Sequence, residues 1–138
     1  SAPKEIKDLF DFSVTFAEQL KQNMQPGKKA LDIYRETTAW LNQQDQYQGW
    51  VGAHTIGNTV HGIGPLIYPD YPDRYGDRVH LMLEPVMLFA VELGVSGHIE
   101  EFNKTIGLTR QDDGVLTQDG ITYFSDPQRE LILIHKND

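Results

Sequence analysis

Apolar residues in the first forty positions recur every three to four residues. Leu9, Phe10, Phe16, Ala17, Leu20 and Met24 share one face of a helix predicted over residues 7–24, with polar residues between them. Pro26-Gly27 interrupts that period. A second stripe, Ala30, Ile33, Tyr34, Thr37 and Leu41, predicts a helix over 28–43. From Trp50 onward the period shortens. Residues 51–56 and 59–63 read as short strands around Gly57-Asn58. Pro65, Pro69, Pro72 and Gly76 mark 65–78 as a loop. Met87 to Leu93 is a nearly continuous apolar run, as in a strand covered on both faces, and Glu92 stands at its end. Weaker strand patterns occupy 105–109 and 115–117. Asp119-Gly120 predicts a hairpin turn before Ile121-Thr122-Tyr123-Phe124, and 131–134 reads as a last short strand. Helices first and strands afterwards predict the α+β class, a helical hairpin packed on a mostly antiparallel sheet, in one domain spanning residues 1–138.

Composition narrows the partners. Hydrophobic residues make up 39% of the 138 positions, enough for one core. Twenty acidic residues against 12 Lys and Arg give a net charge of −8. Such a surface repels phosphate backbones and anionic lipid, so neither nucleic acid nor a membrane is expected as a partner. No apolar run approaches the roughly 20 residues that span a bilayer. No signal-peptide apolar region follows Ser1-Ala2-Pro3. The absence of cysteine rules out disulfides and thiolate chemistry and fits a cytoplasmic location. A start without Met leads us to expect further sequence upstream.

The candidate chemistry centres on His54, His61 and Glu92. His, His and Glu on neighbouring strands are the raw material of a metal site or an acid–base site. Two histidines beside a glycine turn equally suit structural positions bonded to backbone. Glu92 is harder to read as structure, since a buried carboxylate needs a partner. Without a metal, His54 or Arg110 is the expected partner. Asp112-Asp113 reads as a metal pair or a solvated turn. Tyr68, Tyr71 and Tyr75 fit the lining of a substrate cleft or the packing of the proline loop. His80, His98 and His135 match no motif and read as surface residues.

Three ordered segments carry a more specific pattern: His54-x-x-Gly57-x-x-x-His61, then Leu83-Glu84-Pro85 through Val91-Glu92, then Val115-Leu116-Thr117-Gln118-Asp119-Gly120. Together they resemble the C-terminal half of a pita-bread metallopeptidase catalytic domain, the family of creatinase, aminopeptidase P, prolidase and methionine aminopeptidase. Gly-Pro after His61 and Pro72-Asp73-Arg74-Tyr75-Gly76 downstream look most like the Xaa-Pro peptidase branch. The resemblance runs from about residue 8 to about 134. It implies metal-assisted hydrolysis of a peptide substrate, with two divalent metals (Mn, Co or Zn) held by two Asp, one His and two Glu. By that resemblance His54 and Glu92 are metal ligands, and His61 is the catalytic histidine that contacts substrate. The last Glu ligand falls on Gln111, or on Asp112 with a one-residue slip. The two Asp ligands lie upstream in the family, ahead of this chain.

Gln111 cannot ionise, and its amide oxygen is a poor bridge between two cations. Losing even an outer-shell partner costs about 10–100-fold in metal affinity, and losing direct carboxylate ligands should cost more. The expectation is therefore metals absent or weakly held, and an isolated chain inactive in hydrolysis. The missing half of the domain, or a second copy of the chain in a homo-oligomer, would complete the cleft. The rival expectation is a non-catalytic pita-bread module that binds peptides or protein tails.

Overall fold

The computed structural model describes residues 2–57 and 62–134. Helix α1 runs Lys4–Asn23 and helix α2 runs Ala30–Leu41. Both bury the stripes that their periodicity predicts. Leu9, Phe16 and Leu20 of α1 and Ile33 and Leu41 of α2 sit in the core. Phe12 and Phe16 stack with Trp40, at 5.9 and 5.8 Å between ring centres, and tie the two helices together. Asn23 Nδ2 donates to Thr37 Oγ1 at 2.8 Å across the pair. Gly27, at φ +82°, makes the turn between them. No side chain caps α2. The Ala30 N–H instead donates to the Leu81 carbonyl at 3.0 Å, which satisfies one of the donors that a helix start leaves over. That bond fastens the hairpin to the segment leading into the sheet.

The sheet has five antiparallel strands in the order β2-β1-β3-β4-β5. They are β1 Gln48–Thr55, β2 Leu66–Ile67, β3 Leu88–Ile99, β4 Lys104–Thr117 and β5 Gly120–Tyr123. One face of the sheet lies on α1 and α2. Phe89, Val91, Leu93 and Val95 of β3 alternate onto that face and join the core. The architecture is the expected helical hairpin on an antiparallel sheet.

Several details differ from the sequence reading. Strand β3 does not stop near Glu92 but continues to Ile99, because Gly94 and Gly97 leave room for the rings of Trp50 and Tyr47 rather than breaking the strand. The two weak strand patterns are one strand, β4, whose exposed and half-buried residues alternate along most of its length. The proline-rich segment holds β2, a one-turn helix α3 (Pro72–Tyr75) and a 3-10 turn over Gly76–His80. Residues 131–134 are not a strand, and Ile134 is exposed. The strand expected over 59–63 falls mostly outside the described residues, and Gly62 and Ile63 are not in a strand.

Candidate functional site

The sheet face turned away from the helices carries the candidate site. Antiparallel register and the period of two place nine residues on it in three rows. Trp50, Gly94 and Thr109 form one row. Gly52, Glu92 and Gln111 form the next, and His54, Ala90 and Asp113 the third. Glu92 stands at the centre with Gly52, Gly94 and Ala90 as three of its four direct neighbours. Small residues on three sides leave the carboxylate standing clear of the sheet. Two of those gaps are roofed by aromatic rings. A Cβ at Gly52 would lie 3.2 Å from the Tyr68 ring, and one at Gly94 would lie 2.3 Å from Trp50 Nε1.

His54 leans toward Glu92, its Nε2 3.8 Å from Glu92 Oε1. The other ring nitrogen, Nδ1, lies 3.2 Å from the Thr55 carbonyl, which can only accept, so Nδ1 carries the proton of that bond. This leaves Nε2 directed at the carboxylate. Of the two expected neighbours, His54 is the one beside Glu92, whose carboxylate is partly exposed rather than buried. Arg110 is not. It projects from the opposite face of β4, stacked 5.6 Å over Phe10 and donating to the Gln128 carbonyl.

The end of the site is closed by the segment after β1. Gly62 N–H donates to the Thr55 carbonyl at 2.6 Å and Gly64 N–H to Thr55 Oγ1 at 3.0 Å. A Cβ at either glycine would come within 2.8 Å of Thr55, so the close approach needs glycine there. Arg78 holds the same segment from the other side, donating to the Gly64 carbonyl at 3.0 Å and the Gly62 carbonyl at 2.7 Å.

These elements enclose a cleft of about 360 Å³ with His54 and Glu92 on its floor and Tyr68, Tyr75, Arg74 and Arg78 on its walls. Tyr68 and Tyr75 meet edge to face at 5.2 Å, and the Arg74 guanidinium lies 5.1 Å over the Tyr75 ring. Burial, reinforced by Tyr75, pushes the Tyr68 phenol above its ordinary pKa, so it stays a hydrogen-bond donor at neutral pH. Tyr71 packs against Tyr75 at 6.3 Å but is exposed and does not line the cleft.

The remaining candidates separate by face. Gln111 stands directly opposite Glu92. Asp112 pairs with Val91 and projects to the helix side, so the one-residue slip that would make it a site carboxylate is excluded by register. Burial raises its pKa, Asp113 adds to the rise, and Arg110 opposes it. Asp112 and Asp113 face opposite sides of β4 and cannot grip one ion together. Asp113 is on the site face in the row of His54, a placement that the alternation implies once Gln111 is taken as facing inward. His61 lies outside the described residues, as does His135. His80 and His98 are exposed beside Asp70 and Glu100.

A dinuclear centre needs several anionic ligands. Among the described residues, no group of three or more His, Asp and Glu could hold a metal ion. His54 and Glu92 are the two donors brought together, and Gln111 brings a neutral amide where a bridging carboxylate is needed. The residues present do not by themselves fit a metal pair.

Solved peptidase structures share this fold. The X-Pro aminopeptidase of Thermotoga maritima superposes with a TM-score of 0.72 at 18% identity, over 97% of this chain and 35% of its own. The Xaa-Pro dipeptidase of Bacillus anthracis does so at 0.68 and 19% identity, over 97% and 34%. A methionine aminopeptidase of Rickettsia prowazekii gives 0.62 and 18%, over 90% and 54%. The chain belongs to metallopeptidase family M24, whose description matches residues 1–119. It spans about a third of the length of the first two of these structures. No curated protein matches it in sequence. Membership of a metallopeptidase family implies divalent metals for the family. No helix among the described residues is long and apolar enough to cross a membrane.

Proposed function

We propose that this chain is the cleft-bearing part of an Xaa-Pro peptidase-like domain, and that its own work is to bind the end of a peptide. The observation that carries this reading is the convergence of His54 and Glu92, 3.8 Å apart, on the floor of a cleft walled by two tyrosines and two arginines. Tyr68 and Tyr75 offer apolar faces to a compact ring such as proline, and the Tyr68 hydroxyl offers a donor to a peptide carbonyl. Arg74 presents a guanidinium that binds a carboxylate, while Arg78 is occupied in holding the glycine segment. Glu92 accepts from a peptide N–H or ammonium.

Hydrolysis by the chain alone does not follow from its residues. Gln111 is neutral where the family resemblance places a carboxylate, and the chain has no cysteine to serve as a nucleophile instead. A second reading has one specific support, the placement of His54 Nε2 and Glu92 Oε1 3.8 Å apart on one face of the sheet. Carboxylates from the rest of a longer protein, or from a second copy, would then complete a metal centre, which when loaded supplies an activated water for peptide hydrolysis.

Calorimetric titrations with Ala-Pro and with Mn²⁺, run separately on the wild type and on Glu92→Ala, test the two. The first reading expects Ala-Pro to bind without metal and to lose affinity in Glu92→Ala. Tight Mn²⁺ binding, abolished in Glu92→Ala, with no metal-free binding of Ala-Pro would overturn it in favour of the second.

A further inference from the structure

Strand β4 is paired with β3 on one side along most of its length, and on its outer side along only a part. Strand β5 covers the outer edge over residues 114–117, and the Phe124 N–H adds one bond to the Asp113 carbonyl at 3.0 Å. From residue 104 to residue 112 no strand among the described residues pairs with that edge. The ladder fixes which backbone groups point there. The Leu116 N–H and carbonyl are both bonded on the β3 side, to Met87 and Val86. The register with β3 runs unbroken from residue 115 to residue 104. Even-numbered residues of β4 therefore bond to β3, while Thr105, Gly107, Thr109 and Gln111 turn their N–H and carbonyl groups outward. An open edge of this kind is a template for another strand.

The chain's own last described segment runs beside this edge. After Phe124 it turns back along β4, where Arg110 Nη2 donates to the Gln128 carbonyl. Three residues on, Leu131 lines a groove of about 420 Å³ together with Phe10, Leu108 and Arg110. Exposure then alternates. Leu131 is half-buried, Ile132 is 74% exposed, Leu133 41% and Ile134 94%. That is the period of a strand whose odd-numbered residues lean into the groove. We infer that residues 131–134 are a strap that closes on the outer edge of β4 as a sixth antiparallel strand. One register satisfies both the side chains and the backbone. Leu131 opposite Leu108 and Leu133 opposite Ile106 place apolar pairs on the helix side, where Ile106 and Leu108 already pack against the core. Ile132 then falls opposite Gly107 and Ile134 opposite Thr105, the positions whose N–H and carbonyl groups turn outward. A slip of one residue would lose both matches. The tether favours this occupant over a second copy. A segment anchored three residues away at Gln128 has an effective concentration on the order of millimolar, whereas two chains of net charge −8 repel each other. Closure buries apolar side chains that otherwise face water and withdraws the edge from strand exchange with other chains.

The test is residue-resolved amide exchange by NMR on the full chain, at low and high protein concentration, for the wild type, Leu133→Met and Leu133→Asp. In the wild type the N–H groups of Thr105, Gly107, Ile132 and Ile134 should exchange about 10-fold more slowly than unprotected amides, a protection that two apolar cross-strand pairs can support. It should be the same at both concentrations. Leu133→Asp should return Thr105 and Gly107 to unprotected rates. The Ile106 and Leu108 amides, bonded to β3, should stay slow in that variant and so report an intact sheet. Leu133→Met should keep the protection. Unprotected exchange of Thr105 and Gly107 in the wild type would overturn the strap, and so would protection that survives Leu133→Asp. Protection that grows with concentration would overturn it in favour of a second copy on the same edge.

Discussion

Gln111→Glu places a second carboxylate in the cross-strand position opposite Glu92. Directly paired residues have Cα atoms about 4.5–5.5 Å apart, so the two charges face each other across a single strand spacing. For unit charges about 5 Å apart the repulsion lies between about 0.8 kcal/mol in water and about 3 kcal/mol near a protein surface. Gln111 is exposed and Glu92 partly so, which favours the lower end, and like-charged cross-strand pairs cost up to about 1 kcal/mol. For a chain of this size that corresponds to a fall in Tm of about 3–5 °C. With metal the sign reverses, because the new carboxylate joins His54 and Glu92 as a third donor. At 100 times its Kd, a bound ion would stabilise by about 2.7 kcal/mol. The assay is thermal unfolding at pH 7.5 with and without Mn²⁺, on the variant and the wild type. The variant should melt below the wild type without metal and rise with Mn²⁺. The wild type, whose Asp112 already offers a carboxylate on the other face, should not rise. An unchanged Tm without metal, together with equal Mn²⁺ stabilisation of both proteins, would refute the placement of Gln111 opposite Glu92 and of Asp112 behind it.

Two further outcomes concern stability. Val86 adopts φ +72° in the turn before β3 and is 80% exposed, so its side chain contributes little burial to set against the strain. A left-handed non-glycine residue costs about 1–2 kcal/mol and glycine's extra chain entropy returns about 0.5–1. Val86→Gly should therefore stabilise by roughly 0.5–1 kcal/mol in urea unfolding, and a lowered midpoint would contradict the strain. Asp112 has a pKa raised above its ordinary 3.8, chiefly by burial, so the fold prefers its neutral form. Its ionisation costs stability as pH rises through the raised value, and the cost is absent below 3.8. Asp112→Asn should be more stable at pH 7, by less than about 1 kcal/mol given its solvent screening, with the gain fading toward pH 3. A gain that persists at pH 3 would point to packing rather than charge.

The helical hairpin was legible because its stripes match the helical period almost residue for residue, and because Pro26-Gly27 punctuates it. The ordered His, Glu and Thr-x-x-Gly segments made the family legible, and the register places Gln111 across from Glu92. Glycine misled the strand reading. Gly94 and Gly97 look like interruptions in one dimension, but each makes room for a ring that arrives from a distant position, Trp50 or Tyr47. The same blindness hid the neighbours of Glu92, since Trp50 and Gln111 come beside it only through the strand pairings. The choice between Gln111 and Asp112 stayed open for a different reason. A run of adjacent acids gives no sign of which one faces the site until the pairing fixes the parity. The apolar run at 131–134 reads as a strand by composition, yet it pairs with no described strand.

Strands β3 and β4 are joined by only the short turn over residues 100–103, and they share the longest ladder of the sheet. Their association closes a small loop and is entropically cheap. Strand β1 reaches β3 only after the whole segment 56–87 is gathered in. Glu92 and Gln111 can therefore meet early in folding, while His54 arrives by the slow, long-range step. At the edge of the sheet β2 is held by only two residue pairs to β1, so the wall that carries Tyr68 has the shortest ladder of the sheet. Loss of that edge would take Tyr68 from the cleft while β1 and the long hairpin still hold His54 and Glu92, so binding would fail before the sheet does.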